Sequence, residues 1–124
     1  MTPVAGPNSP GEEEFPQLYV VLVTVPDEES GRALAQEVVG ARLAACGNLI
    51  PGLTSVYRWE GQLRRDSESL VIFKTTASRV SALREHVVKS HPYEVPEVLA
   101  VAVVEGHVPY LEWVKGEVEE TGNS

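Results

Sequence analysis

The stretch LIPGLTSVYRWEGQLRRDSESLVIFKTT, residues 49–76, decides the fold. Its two halves predict two strands, Leu49–Trp59 and Arg65–Thr76, which a turn at 60–62 connects. Proline cannot donate a hydrogen bond to a neighbouring strand, so Pro51-Gly52 predicts a bulge or an edge position within the first strand. The stretch is therefore predicted to form one long β-hairpin.

The length of this hairpin bears on how the protein assembles. A strand of about 12 residues extends about 40 Å at about 3.3 Å per residue, whereas a domain of about 100 residues has a radius of gyration of about 13 Å. The other two predicted strands, Leu18–Val25 and Val98–Val104, are too short to pair with the whole hairpin. Its far end would expose open edges, which promote association, so a closed ring of subunits is favoured. The alternative is a hairpin that bends at the bulge and curls over its own core.

Three helices complete the predicted order. The first, Asp27–Ala45, begins with acidic residues that suit an N-terminus, and Gly47 is well placed to end it. Its apolar face has a helical spacing and consists of Leu34, Val38, Ala41 and Ala45. The second helix is predicted at Ser78–Ser90 and the third from Pro109. The order β-α-β-β-α-β-α describes a ferredoxin-like α+β fold with one antiparallel sheet that carries both main helices on one face.

Composition limits the function classes. The 124 residues fit one domain, with a body at 17–118 between flexible acidic tails at 1–16 and 119–124. The formal net charge of -8 and the lack of a basic stripe argue against nucleic acid binding. No apolar run reaches the roughly 20 residues of a membrane helix. Because there is a single cysteine, no internal disulfide can form, which is typical of a reducing compartment and favours the cytoplasm.

That cysteine, Cys46, is expected at the end of the first helix, on or near its apolar face. A reactive thiolate is favoured at a helix N-terminus or beside a cation, and disfavoured at a helix C-terminus. A structural role as a small apolar side chain is therefore preferred over a reactive one.

The segment after the second helix holds the best candidate for a metal site. His91 is followed by Tyr93 and Glu97 in a short loop that two prolines stiffen. An imidazole and a carboxylate together can bind a soft-to-borderline divalent metal ion. The equally weighted alternative is that His91 bonds to the backbone and closes the second helix.

Several motifs, in order along the chain, resemble the CutA family of divalent-cation tolerance proteins. The resemblance runs from about Tyr19 to Val118. The motifs that carry it are TVPDE at 24–28, RLAACGNLIP at 42–51, SVYRWEG at 55–61, IFKT at 72–75, HPYEVPE at 91–97 and PYLEW at 109–113.

The resemblance implies a ferredoxin-like subunit in a homotrimer, with an assembly similar to that of the P-II signalling proteins. It also implies a role in tolerance of copper or other divalent metal ions, without an established reaction. In the enterobacterial branch, the copper ligands are a cysteine in the first strand and two adjacent histidines. The matching positions here hold Val23 and Ser90-His91, so only His91 of that ligand set is present.

Four aromatic side chains are interpreted as packing at the trimer interface rather than as a ligand platform: Tyr57, Trp59, Tyr110 and Trp113. Lys74 lies in an otherwise apolar strand and needs solvent or a carboxylate partner. A cleft between subunits is a natural place for it, together with Tyr93, Glu94 and Glu97.

Three functions compete at this point. The first is a trimeric metal-binding protein of the CutA type, with a homotrimer and a divalent ion as its partners. The second is a P-II-like sensor that binds a small anionic metabolite between subunits and signals to a protein partner that the sequence does not identify. The third, an enzyme, is not favoured, because no nucleophile–base pair and no phosphate-binding motif are visible and no organic cofactor is expected.

Overall fold

The structure, a computed structural model, describes residues 16–119. The predicted tails at 1–16 and 119–124 lie outside this range, apart from Pro16 and Glu119. The described elements are β1 (Leu18–Val25), α1 (Glu28–Gly40), β2 (Cys46–Trp59), β3 (Gln62–Thr76), α2 (Val80–Ser90), β4 (Leu99–Ala102) and α3 (Val108–Val118), with a 3₁₀ turn at Ala77–Arg79 before α2.

The four strands form one antiparallel sheet in the order β2-β3-β1-β4. The strands β3 and β1 are central and pair from Leu18 opposite Thr76 to Val25 opposite Ser69. The strands β2 and β4 form the two edges. This order confirms the predicted ferredoxin-like α+β fold, since each β-α-β half places its second strand beside the other half.

Helices pack on both faces of the sheet, but they cover one face more completely than the other. The alternating side chains of β1 at Val21, Val23 and Val25 join Phe73 in a core that α1 and α2 cover. Leu111, Val114 and Val118 of α3 pack with Leu18 and Ala45 in a second, smaller cluster. The remainder of this second face is open and includes Leu99 and Val101 of β4, which are 54% and 53% exposed.

The predicted end of the first helix at Ala45 is wrong, because α1 ends at Gly40. Arg42 adopts a left-handed conformation with a φ of 61°, which no helix continues through. The chain then turns toward the sheet, where the Ala45 amide donates to the Lys74 carbonyl over 2.8 Å. Cys46 is consequently the first residue of β2 and not part of a helix. Of the last two residues of the predicted apolar face, Ala41 is exposed, whereas Ala45 is buried in the cluster that α3 forms with Leu18.

Other element boundaries differ by a few residues. The hairpin strands begin earlier than predicted, at Cys46 and Gln62, whereas β4 is shorter and ends at Ala102. The predicted bulge is confirmed by a register shift between Ile50 and Leu53. The turn is confirmed as well, with positive φ at Glu60 and Gly61.

Beyond the bulge, the two strands of the hairpin pair only with each other among residues 16–119. From Leu53 opposite Glu68 outward, neither β1 nor β4 accompanies the two strands. We call the part of the hairpin between Leu53 and Glu68 the distal ribbon. Its side chains are largely exposed, including Val56 at 62% and Leu63 at 72%. The long, exposed hairpin predicted from the sequence is thus present.

Candidate functional site

The segment that follows α2 lies beside the base of the distal ribbon. The strand β1 ends at Val25, opposite Ser69, and no other strand of the described chain pairs with the next stretch of β3 on that side. His91 fixes the segment there: its Nδ1 accepts from the Tyr93 amide over 3.1 Å. Because Nδ1 is an acceptor, Nε2 carries the proton and donates to the Thr24 carbonyl over 2.7 Å. Both ring nitrogens are therefore bonded to backbone.

Tyr93 extends this connection to the ribbon. Its ring lies 4.6 Å from that of His91, centroid to centroid. Its hydroxyl donates to Glu68 Oε2 over 2.6 Å. Burial, and then this hydrogen bond, raise the pKa of the Tyr93 hydroxyl well above its usual range. Tyr93 therefore stays a neutral donor and holds a carboxylate that is only 8% exposed.

A cleft of about 620 Å³ opens between the 93–97 segment and the distal ribbon. Small-molecule sites typically have volumes of about 300–1,000 Å³. The cleft is lined by Thr24, Ser55, Val56, Tyr57, Trp59, Arg64, Asp66, Glu68, Tyr93, Glu94, Val95 and Glu97. The ribbon supplies one wall and the segment after α2 supplies the other, so both predicted hairpin aromatics belong to this site.

A second tyrosine–carboxylate pair lies on the ribbon wall. Ser55 and Asp66 are opposite each other in the hairpin, and Tyr57 is two residues further along. The Tyr57 hydroxyl donates to Asp66 Oδ2. That hydrogen bond is the main reason why the pKa of Tyr57 is raised. Both tyrosine hydroxyls at the cleft thus donate to carboxylates, and their oxygen lone pairs remain as acceptors.

The electrostatic character of the cleft is acidic. Four carboxylates line it, Asp66, Glu68, Glu94 and Glu97, against one guanidinium, Arg64. Within residues 16–119, none of these four carboxylates forms an ion pair. A cleft of this kind attracts cations and hydrogen-bond donors and repels anions.

The predicted metal residues are near each other but do not form a complete ligand set. Glu97 lines the cleft, whereas both nitrogens of His91 are bonded to backbone. No group of three His, Cys, Asp or Glu side chains within the described range could hold a metal ion. The alternative for His91, a backbone bond next to the end of α2, describes the observed contacts. A metal site at His91 and Glu97 stays a prediction.

Lys74 lies elsewhere in the chain. It shares a face of β3 with Glu68 but is six residues away, or about 20 Å at about 3.3 Å per residue. Its ammonium donates to Asn48 Oδ1. The predicted grouping of Lys74 with Tyr93 and Glu94 would therefore need Lys74 from a neighbouring subunit, and it stays a prediction.

The other predicted interface aromatics form a separate surface on α3. The rings of Tyr110 and Trp113 lie 5.6 Å apart and are about half exposed. The Tyr110 hydroxyl is 3.8 Å from Cys46 Sγ, and burial followed by this contact raises its pKa. Cys46 is half-buried next to α3. Its expected place in a helix is wrong, and its structural role stays a prediction.

Sequence reasoning missed the acidic wall of the ribbon. Asp66 and Glu68 were part of the predicted return strand and Arg64 directly precedes it, but no role was assigned to them. The available signal was their period of two, which places all three on one face of the strand. The cross-strand register then adds Tyr57 and Ser55 to the same face. Only the structure reveals that Tyr93 reaches this face.

The fold and the site together define a class of protein: a ferredoxin-like α+β subunit with an overlong hairpin and an acidic cleft at its base. Among residues 16–119, no helix combines the length and apolar character needed to cross a membrane. The family profile described as "CutA1 divalent ion tolerance protein" matches residues 19–117, and the chain belongs to this family. The resemblance seen in the sequence is thereby confirmed.

Relatives in bacteria and plants show the same relationship. The Divalent-cation tolerance protein CutA of Thermus thermophilus is 48% identical over 103 residues, which are 83% of this chain and 97% of that protein. Protein CutA 1, chloroplastic, of Oryza sativa is 48% identical over 102 residues, which are 82% of this chain. This chain spans only 58% of that relative's length. The crystal structure of CutA1 from Oryza sativa superposes on this chain with a TM-score of 0.83 at 46% sequence identity. The superposition covers 86% of this chain and 98% of the Oryza sativa chain. These names describe cation tolerance or the family, not a reaction.

Proposed function

We propose that this chain is the subunit of a homotrimer that contributes to tolerance of divalent cations by binding such an ion, Cu(II) among them. The observation that carries the proposal is the family match over 19–117, which includes almost the whole described body. The name of the Thermus relative supports the link to divalent cations. The acidic cleft supports a role in attracting cations.

The assembly is supported by the edges and the open face of the sheet. Strands β2 and β4 each have a free edge within the described chain. No third strand of the described residues pairs with the distal ribbon, and isolated two-stranded ribbons are marginally stable in water. Apolar side chains on the open face, such as Val101, would be covered by neighbouring subunits. A closed ring satisfies these edges without open-ended growth.

Sedimentation equilibrium tests the assembly. We expect a mass of three chains at micromolar concentration. Val101→Glu on β4 should shift the mass toward that of one chain, because it buries a charge in the proposed interface. Val88→Glu is the matched control, since Val88 is equally exposed at 53% but lies on α2. Single chains in the unmodified protein, or dissociation by both variants alike, would refute the interface.

The proposed metal ligands are His91 and Glu97, with the carboxylates of the cleft contributing to the local charge. Neither residue at the other enterobacterial ligand positions can assist: Val23 is buried in the core, and Ser90 Oγ donates to the His86 carbonyl over 2.9 Å. Coordination by His91 would replace one of its two backbone hydrogen bonds. The bound ion must compensate for that loss, so we expect weaker binding than a preformed site would give.

Calorimetric titration with Cu(II) tests the metal site. We expect saturable binding that His91→Ala abolishes and Glu97→Gln weakens. His107→Ala is the control, because His107 is exposed and precedes α3, away from the cleft. Equal loss in the His91 and His107 variants would indicate surface histidine binding and contradict the site. Absence of any saturable Cu(II) binding would contradict metal binding itself.

A sensor that binds a metabolite is the second candidate, and the cleft is the observation that favours it. Its volume suits a small organic molecule. Its four carboxylates, however, oppose the anionic metabolite expected from the sequence. A nucleotide titration separates the possibilities, because tight nucleotide binding would require Arg64, the single guanidinium of this lining, to outweigh its four carboxylates. We also propose a cytoplasmic location, which the free thiol of Cys46 supports and which cell fractionation would test.

A further inference from the structure

Of the four carboxylates that line the acidic cleft, the proposed metal site uses only Glu97 as a ligand. The remaining carboxylates of the cleft, Asp66, Glu68 and Glu94, are spread over both walls. Asp66 and Glu68 lie on the ribbon, whereas Glu94 lies on the segment after α2. Negative charge therefore surrounds the open space from two sides. A ligand that matches this arrangement carries positive charge at more than one point.

Glu68 provides a second observation that points to a ligand. It is 8% exposed and lies in the cleft, and its Oε2 accepts from Tyr93. Within residues 16–119, no group donates to its other oxygen, Oε1. Buried carboxylate oxygens without a donor are uncommon, because they lose hydration without replacement. A donor from a molecule in the cleft would satisfy this oxygen.

The aromatic side chains favour the same kind of ligand. The rings of Tyr57, Trp59 and Tyr93 line the cleft, and the first two are 38% and 37% exposed. The faces of tyrosine and tryptophan rings attract ammonium groups. The phenol oxygens also act as acceptors, since both hydroxyl protons are directed to carboxylates. Carboxylates, phenol oxygens and ring faces all prefer a cationic donor.

The geometry separates an organic cation from a bare metal ion. A metal ion needs several ligand atoms within about 2.0–2.6 Å, and Asp66, Glu68 and Glu94, which the proposed metal site at His91 and Glu97 does not use, form no such group among the described side chains. The cleft is instead about 620 Å³ in volume, with its charges distributed along it. A flexible chain with separated ammonium groups can reach both walls and leave its methylene groups against the aromatic rings.

We propose that this cleft binds an aliphatic polyamine, an organic cation with two or more ammonium groups. One ammonium donates to Glu68 Oε1 and lies against Tyr93, and another meets Glu94 or Glu97 at the opposite wall. The inference rests on the second candidate function, the sensor, and replaces its anionic metabolite by a cationic one. It does not depend on metal binding through His91.

Calorimetric titration of the full chain with spermidine, at physiological ionic strength, tests the proposal. We expect one saturable site per chain. Glu68→Gln should weaken the affinity for spermidine about tenfold or more, because it removes the negative charge that the ammonium group contacts. The double variant Glu94→Gln/Glu97→Gln changes only exposed side chains and should weaken the affinity for spermidine without affecting folding. Glu85→Gln, an exposed charge on α2, is the matched control and should leave the affinity unchanged.

Each contrary result has a distinct meaning. An equal loss of affinity in Glu85→Gln would show that spermidine responds to net charge alone and would overturn the site. Mg²⁺ binding with the same dependence on Glu68 would overturn it in favour of an inorganic ion. AMP binding in place of spermidine would overturn it while preserving a sensor. If the full chain binds spermidine through Glu68 but shows no saturable binding of Cu(II), the result supports the spermidine site and contradicts the metal proposal.

Discussion

Gly31 permits α1 to approach the sheet, and Gly31→Ala is the most direct test of that packing. A Cβ at this position would lie 2.6 Å from Leu49 Cδ1, 3.2 Å from Val25 Cγ2 and 3.3 Å from Val71 Cγ2. Leu49 can move its terminal methyl, but Val25 and Val71 are β-branched and fully buried. Such overpacking costs about 1–3 kcal/mol. Alanine recovers at most about 1 kcal/mol of helix propensity, so we expect a net loss of about 1 kcal/mol in the free energy of unfolding.

The matched control is Gly116→Ala in α3, where an added Cβ meets nothing within 4 Å. This variant gains the propensity without the clash and should raise the free energy of unfolding by up to about 1 kcal/mol. Guanidinium denaturation at equal chain concentration measures both variants, because the stability of an assembly depends on concentration. The packing argument fails if Gly31→Ala is as stabilising as Gly116→Ala.

Three further predictions concern single contacts. Arg42→Ala and Arg42→Gly both remove the hydrogen bond from the guanidinium to the last turn of α3. Because glycine adopts the positive φ of this position without strain, Arg42→Ala should lower the free energy of unfolding by about 1 kcal/mol more than Arg42→Gly. The hydrogen bond from the Ser30 amide lowers the pKa of Asp27. The stabilisation that the Asp27 carboxylate provides should therefore be complete above about pH 4 and be lost at lower pH, whereas Asp27→Asn should not show this loss. Parallel acid denaturation curves of the two proteins would contradict this. Tyr93→Phe leaves buried Glu68 without its donor and should cost about 1–3 kcal/mol in urea denaturation at pH 7. Because the pKa of Tyr93 is raised, its stabilising effect should persist to about pH 10 and decline at higher pH; an unchanged urea midpoint would refute its role.

The sequence was sufficient for the fold because local signals agreed with the global one. The valine-rich β1 strand, the bulge at Pro51-Gly52 and the turn at Gly61 each specify one step of the topology, and all were predicted. The end of α1 was missed because apolar spacing continues to Ala45. Periodicity reports burial, and residues after a helix can be buried against a sheet at the same spacing. The αL conformation of Arg42 carries no sequence signal, since arginine rarely adopts it.

The site was predicted only where it is local in sequence. His91, Tyr93, Glu94 and Glu97 lie within one short segment and were identified from its composition. The ribbon residues Asp66 and Glu68 looked like ordinary solvent-exposed charges of a strand, because their period of two indicates a shared face but not what that face contacts. Their proximity to Tyr93 depends on where β1 ends relative to β3, which is a property of the sheet.

A single mismatch in strand length accounts for both the proposed assembly and the cleft. The eight residues of β1 pair with only part of the 15 residues of β3. One consequence is a ribbon that no third strand of residues 16–119 accompanies, which favours pairing with another chain. The other is a free space beside Glu68, which Tyr93 and the segment after α2 partly fill and partly leave open. Since the ribbon is also one wall of the cleft, association of subunits through the ribbon would order that wall. Binding in the cleft and assembly are therefore expected to stabilise each other, because a ligand that prefers the ordered wall also prefers the assembled state.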